Sequence, residues 1–512
     1  MFNKIYSAKL NAVANFATSI WTTLLGLLFV PFYLRYLGIE SYGLIGFFTT
    51  IQAFVSLLDF GLSPTINREL SRLSAKEENR REMLDITRTL EIPNGITTVI
   101  IAVILCLLAP LIGRFWINPK DLAVDTVIQA LIIMSLSVAV QFCINFYIGG
   151  LMGLQKQVLL SLINIICGTL RSVGALLVLI WISGTIQAFL VWQGLILLLQ
   201  LILVAVTLHR SLPPLSTGGT FSKQLLGNIW RFAGGMTAIT VLSLILTQTD
   251  RVILSRMLSL EDFGYYSLAI SIPSLALGLF ASSVGHAVFP QFTKFVELQD
   301  ERALRNVYHR SCQTVSVFLF SSTLILVLFS YDILHAWINQ EQIAANTYVL
   351  LSIIAIGTGL NGLMWIPYFI QLAHGWTKLI LYANSVAILI FVPAIIVGVT
   401  KYGAMGAAVC WLILNAGYVT IVIYFLHRRI LKGEAARWYL EDLSPPFFTA
   451  LLIAAIGKLI FPSNLSRYET IIALVIISAI TLLLTAISTR ATRDYLKLMI
   501  EKVLRFASTE KL

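Results

Sequence analysis

Arg171 stands alone in the apolar run SLINIICGTLRSVGA (161–175), and TQTDRVILSR (247–256) sets Asp250 and Arg251 side by side at the end of another. Asp59 in LLDFG, together with Gln52, Asn15 and His286, interrupts further apolar stretches. At the centre of a membrane helix each charge costs about 2.5 to 3.5 kcal/mol on insertion scales, so something must compensate for it. Arginine offers a planar fork of donors that fits phosphate oxygens. A carboxylate inside a membrane takes up a proton or a cation, and histidine titrates near neutral pH. These side chains suit the holding and moving of an anionic or cation-coupled cargo. Each also has a structural use: Arg171 capped by carbonyls or paired within its own helical bundle, Arg251 turned to a neighbouring helix, Asp59 hydrogen-bonded at a helix end, His286 simply hydrogen-bonded.

Nothing comparable points to covalent chemistry. Cys106, Cys143, Cys167, Cys312 and Cys410 are scattered singly in apolar runs, without the spacing of a zinc site or a redox pair, and read as packing residues. No cofactor or metal is expected, and the chain is not expected to be an enzyme. A membrane polymerase would need an acid/base constellation outside the cytoplasm, where the candidates are few: Glu40, Asp121, Glu261 and Asp262.

The elements that must position these residues are membrane helices. Of 512 residues, 58% are hydrophobic and 12% charged, with a mean hydropathy of +0.85. A soluble domain carries about 25% charged residues. The fold class expected is an all-α integral membrane protein. At about 20 residues per span, helices fall near 11–34, 42–66, 90–113, 125–148, 158–181, 185–208, 229–257, 264–290, 311–331, 343–370, 379–399, 405–426, 446–461 and 469–489, about fourteen in all. Lys4 and Lys9 precede a long segment rich in Asn and Thr rather than a short apolar core, so no cleavable signal is expected and the first helix is retained.

With the N-terminus inside, 27 of the 36 Lys and Arg fall on the cytoplasmic side and seven on the other, with Arg171 and Arg251 within spans. The positive-inside rule then places both termini in the cytoplasm. The net charge of +11 is topological and calls for no nucleic acid. No connection is long enough for a soluble catalytic domain. RELSRLSAKEENRREMLDITR and TKFVELQDERALRNVYHR mix charge signs at helical spacing and read as cytoplasmic surface helices.

An internal repeat organises the chain. LGIESYGLIGF at 37–47 matches LSLEDFGYYSLAI at 258–270, and an offset of 221 carries Arg35 onto Arg256, Glu40 onto Glu261 and Gly43 onto Gly264. The repeat predicts a six-helix lobe over 1–208, a cytoplasmic linker over 209–228 rich in Pro and Gly, a second six-helix lobe over 229–426, a loop and two further helices over 427–489, and a basic tail over 490–512. Polar residues three and four apart line equivalent helices: Asn11, Asn15, Ser19, Thr22 and Gly26; Thr49, Gln52, Ser56, Asp59 and Ser63; Thr240, Ser243, Thr247 and Asp250; Ser267, Ser271, Ser274, Gly278, Ser282 and Gly285. Close packing through small residues accounts for Gly and Ser, while Gln52, Asp59 and Asp250 favour a polar cavity. Arg171 lies on the face of Ser161, Asn164, Gly168 and Ala175. Pro31, Pro64, Pro273, Pro290, Pro367 and Pro393 are candidate kinks.

FVPFYLRYLGIESYGLIGF, LLDFGLSPTINRELSR and DRVILSRMLSLEDFGYYSLA resemble the polysaccharide transport family, the O-antigen flippases, within the multidrug/oligosaccharidyl-lipid/polysaccharide exporter superfamily. The resemblance implies two lobes in a V, a central cationic cavity, and translocation of undecaprenyl-pyrophosphate-linked oligosaccharide from the cytoplasmic to the periplasmic leaflet of a bacterial inner membrane. It implies lipid-linked oligosaccharide and membrane lipids as partners, with a polysaccharide polymerase and chain-length machinery as further candidates. A fourteen-helix layout also resembles the lipid II flippase branch, whose two extra C-terminal helices form a lipid groove; the arginine pattern usual at that branch's N-terminus is missing here. Two readings remain beside the flippase: a cation-coupled multidrug exporter of the same superfamily, if Asp59 and Asp250 bind cations, and a polysaccharide polymerase.

Overall fold

A computed structural model describes residues 2–59, 61–74, 79–213, 219–221, 244–245, 247–462, 465–495, 497–498 and 501. The described residues are predominantly helical, with no strand among them beyond an isolated bridge between Asn118 and Ser259. Eleven helical runs among them are long and apolar enough to cross a membrane. Two of these runs, Ala17–Asp59 and Lys378–Arg429, each join two spans of the sequence reading across a glycine. Gly38 at φ 77° and Gly403 at φ 58° adopt backbone conformations that only glycine takes without strain. The span expected over 229–257 lies mostly outside the described residues, as do Thr240 and Ser243, so the count of fourteen rests on the sequence.

The chain forms two compact units, Met1–Gly264 and Tyr265–Leu512. The first contains α1 (Phe2–Val55), α2 (Leu62–Leu73), α3 (Arg80–Phe115), α4 (Val124–Gly153), α5 (Gln157–Trp181) and α6 (Ile186–Ser211). Its centre is α4, which packs on α2, α3 and α6. Lipid tails are as apolar as leucine, so helices in a membrane associate by close fit. Gly149 and Gly153, four residues apart, bring α4 against the carbonyls of Ser63 and Asn67, themselves four apart on α2.

The second expected span, 42–66, is corrected. The helix ends at Val55, Ser56–Asp59 form a 3-10 turn, and α2 starts at Leu62 after Gly61 in the left-handed region. The physical reason is amphipathicity: Leu62, Ile66, Leu70 and Leu73 are buried on one face while Arg68 and Arg72 stay exposed, so α2 is a surface helix rather than the end of a span. Thr220 of the expected linker is tied to α3, where the Asp85 carboxylate accepts from its amide at 2.6 Å and its hydroxyl at 3.0 Å.

The second unit contains α7 (Leu260–Pro273, starting just before the boundary), α8 (Leu279–Glu297), α9 (Glu301–Leu328), α10 (Ser330–Ile338), α11 (Glu341–Leu363), α12 (Trp365–Ala373), α13 (Lys378–Gly417), α14 (Ile423–Arg429), α15 (Ser444–Leu459) and α16 (Arg467–Ser488). Between α7 and α8, Ser274–Gly278 form a π-helical segment directly after Pro273, whose ring disrupts the regular hydrogen-bond ladder. Gly357, Gly359 and Gly362 let α11 approach Trp411, Thr323 and Leu319. The last two helices, α15 and α16, close on each other and on α9 through Ala454, Leu474, Ile325 and Phe329.

Candidate functional site

Arg171 sits just past the middle of α5, with its guanidinium turned into the first unit. It donates to Gln200 Oε1 of α6 at 2.7 Å, and Gln200 in turn donates to Asn164 Oδ1 at 3.0 Å. Gln200 is 7% exposed. Arg171 Nε is buried with no hydrogen-bond partner, so the fork is only partly satisfied by the protein. Around it, Tyr33 donates to the Ser172 carbonyl at 3.3 Å, Trp21 to Thr169 Oγ1 at 2.9 Å and Trp192 to the Leu170 carbonyl at 3.1 Å. A ladder of polar contacts to α1 and α6 therefore runs along α5. The arrangement can hold an anionic oxygen at the unsatisfied edge of the guanidinium while Gln200 keeps its plane oriented.

Asn15 lies on the same ladder nearer the chain's start, donating to Gln157 Oε1 at 3.0 Å and accepting from Ser161 Oγ at 3.3 Å. Asp59 accepts from the Ser63 amide at 3.2 and 3.1 Å and from the Ser63 hydroxyl at 2.7 Å, which ties down the first turn of α2. Arg251, which lies outside the expected stripes, donates to Thr49 Oγ1 of the second stripe at 3.3 Å, as expected of a side chain turned to a neighbouring helix. Asp250 beside it is 3% exposed, and Gln52 is half-buried. His286, in the second unit, packs edge-on against Phe369 with ring centroids 4.8 Å apart and lies near Trp365.

The predicted residues thus fall in separate places: Arg171 and Asn15 along α5, Asp59 at the head of α2, Arg251 against α1, His286 in an aromatic cluster. Sequence reading passed over Gln200 and Gln157. A lone glutamine in LLLQLIL was the available signal, but a search for ionisable residues alone does not register it.

The repeat acquires a physical meaning in the first unit. Gly43 faces the backbone of Leu260 and Gly264, and Gly264 faces Ile39, so the two matched glycines form one close approach. The two matched glutamates meet on one loop. Glu40, 5% exposed, accepts from the amides of Lys120, Asp121 at 3.0 Å and Leu122 at 2.7 Å, and Glu261 pairs with the Lys120 ammonium at 2.9 Å. Asn118 adds a bond to the Arg256 carbonyl at 3.1 Å and Trp116 one to Ser255 Oγ at 3.0 Å. Glu40→Gln should lower the melting temperature of the purified protein far more than Glu261→Gln. A buried carboxylate receiving backbone amides contributes about 1.5 to 3 kcal/mol per bond, whereas the Lys120 ammonium is open to solvent; equal shifts in a thermal-unfolding assay would contradict this.

A second polar cluster lies in the other unit, unforeseen in the sequence. His309 Nδ1 faces Asp442 Oδ2 at 2.5 Å and His309 Nε2 faces Glu434 Oε2 at 3.1 Å, so an imidazolium is the form that donates to both. Asp442, fully buried, also accepts from Gln313 Nε2 at 2.9 Å, and Gln313 Oε1 accepts from the Ala491 amide at 3.1 Å. The cluster fastens α9 to the 434–443 segment and to Ala491, just beyond α16. It is enclosed by protein, which suits an anchor rather than a cargo site.

The comparisons with known proteins agree with this architecture. A family model described as polysaccharide biosynthesis protein matches residues 9–296. Over 195 residues the chain is 26% identical to a putative O-antigen transporter of Shigella flexneri, covering 38% of this chain and 46% of that protein. Over 260 residues it is 26% identical to the succinoglycan biosynthesis transport protein ExoT of Rhizobium meliloti (strain 1021), covering 46% and 47%. The chain thus spans about half the length of the curated relatives it matches. Among solved structures, the lipid II flippase MurJ in an inward closed conformation has a TM-score of 0.72 at 17% identity, over 96% of this chain and 99% of that one. An inward-facing multidrug resistance MATE family transporter of the MOP superfamily reaches 0.64 at 14% identity, over 83% and 96%. At such identities the likeness is one of fold.

Proposed function

The chain belongs to the polysaccharide biosynthesis protein family, and from that premise we infer that it is a flippase carrying lipid-linked oligosaccharide from the cytoplasmic to the periplasmic leaflet of a bacterial inner membrane, by alternating access and without covalent chemistry. The observation that carries the reading is Arg171. It is an arginine at membrane depth, oriented by Gln200 and Asn164, with a buried Nε that the protein leaves without a partner. A pyrophosphate that must leave water needs such a donor. Relatives named as transporters of O-antigen and as a succinoglycan transport protein support the cargo class. Asn15, Gln52, Asp59, Asp250, Arg251 and His286 are the further cargo or coupling residues of this reading, and the two lobes with a linker over 209–228 are its moving parts.

The reading is tested by reconstituting the purified chain in liposomes loaded with a fluorescent undecaprenyl-pyrophosphate-linked oligosaccharide and following its access to a membrane-impermeant reductant. Protein-dependent flipping is expected. Absence of flipping, with export of a cationic dye from the same vesicles, would favour the multidrug reading instead.

Orientation has its own test. In a cysteine-free background, Ser74→Cys at the end of α2 should stay shielded from an impermeant thiol reagent in intact cells, and Ala123→Cys, beside the loop that Glu40 holds, should label. The reverse pattern would invert the topology.

A further inference from the structure

An apolar groove in the second unit lies along α13 and the segment that follows it. Its two walls are the helix halves before and after Gly403, residues 378–402 and 404–429. Beside that turn they are pinned together where Gly398 and Gly406 meet backbone to backbone. Further along they part, and a cavity of about 550 Å³ opens, lined by Tyr382, Val386, Ile390, Ile413, Ile421 and Phe425 among others. The volume is in the range of a built ligand site. Within the groove, Tyr418 donates across to Asn384 Oδ1 at 2.9 Å, holding the walls at a set separation.

Two features say what fills it. The first is charge. The wide end, lined by Leu379 and Phe425, is bracketed by Lys378, Arg428 and Arg429, all exposed and none in an ion pair among the described residues. Arg428 is held over Tyr424, 5.5 Å from the ring centroid, and Arg429 over Trp376 at 4.6 Å, so both guanidinium planes are positioned at that end. An apolar groove with a cationic mouth fits an amphiphile with an anionic head. The second is length. From Leu379 to Ala394 the groove runs about 22 Å along the helix at 1.5 Å per residue, longer than the ~15 Å that one leaflet contributes to a hydrocarbon core of about 30 Å. A phospholipid acyl chain ends at the midplane, whereas a polyprenyl chain continues past it.

Resting on the flippase reading, we propose that the groove between residues 378–402 and 404–429 binds the polyprenyl tail of a phosphate-bearing lipid carrier, with Lys378, Arg428 and Arg429 receiving its phosphate at the cytoplasmic surface. Because lipid tails are as apolar as the walls, selection comes from shape and from the charged mouth rather than from hydrophobicity. At Gly457 and Ile477, α15 and α16 meet too closely for a tail to pass between them.

The test uses the full-length purified chain with undecaprenyl phosphate, undecaprenol and phosphatidylglycerol as probes, binding being read by native mass spectrometry. Wild type should retain undecaprenyl phosphate about tenfold better than phosphatidylglycerol. Ala387→Trp with Ala394→Trp fills the groove and should reduce retention by about tenfold, while Arg428→Gln with Arg429→Gln should weaken undecaprenyl phosphate and leave undecaprenol unchanged. Equal retention of phosphatidylglycerol, or unchanged retention by the filled variant, overturns the proposal. Should the filled variant misfold, a benzophenone amino acid at Val386 must cross-link a radiolabelled undecaprenyl phosphate that the same group at Ile472 of α16 does not; equal labelling overturns it as well. Flipping by a folded, filled variant at the wild-type rate removes the groove and leaves the flippase reading standing, whereas selective binding by a chain that flips nothing removes the flippase reading and leaves the groove.

Discussion

Arg171→Ala is expected to slow flipping of lipid-linked oligosaccharide by about ten- to a hundredfold, the loss of one charge-assisted hydrogen bond to phosphate at about 1.5 to 3 kcal/mol. Arg171→Lys should retain an intermediate rate, since it keeps the charge and loses the fork. Initial rates in reconstituted vesicles, at matched protein density, decide the matter. The competing structural role predicts something different. If Arg171 serves only to satisfy Gln200 and Asn164, then Ala should lower thermal stability in parallel with flipping, and Gln200→Leu combined with Arg171→Met should restore both. Restored flipping in that double variant would remove Arg171 from the cargo path.

His309→Ala should act on folding instead. It strips Asp442 of the donor on Oδ2 and leaves a fully buried carboxylate facing Gln313 alone on its side-chain oxygens. Breaking a buried pair from one side costs about 3 to 5 kcal/mol, which most proteins of marginal stability do not survive. The expected result is loss of the monodisperse peak on size-exclusion chromatography of detergent-solubilised protein. His309→Gln with Asp442→Asn, which removes both charges, should recover much of it. A stable His309→Ala protein with lowered flipping would instead make the cluster part of transport.

How much was legible in advance follows from which interactions are local. Membrane class, the all-α fold and the positions of most helices follow from runs of apolar residues, because every backbone group in a span must be satisfied within its own helix. The gap between the spans at 11–34 and 42–66 and the repeat around Gly43 and Gly264 were also legible, and the structure places Gly38 in that gap. The end of the second span was not. LLDFGLSP is apolar enough to continue a helix, and only the burial of Leu62, Ile66, Leu70 and Leu73 against α3 and α4 shows that the chain turns there.

The site divides in the same way. That Arg171, Asp59, Asp250 and Arg251 interrupt apolar runs was determined by the sequence alone, because the cost of a membrane charge depends on its immediate neighbours along the chain. Which partner each one takes was decided by tertiary structure. Gln200 lies 29 residues from Arg171 and Asp442 lies 133 from His309, and a hydrogen bond between residues so far apart depends on how their helices pack, which no spacing in the sequence encodes.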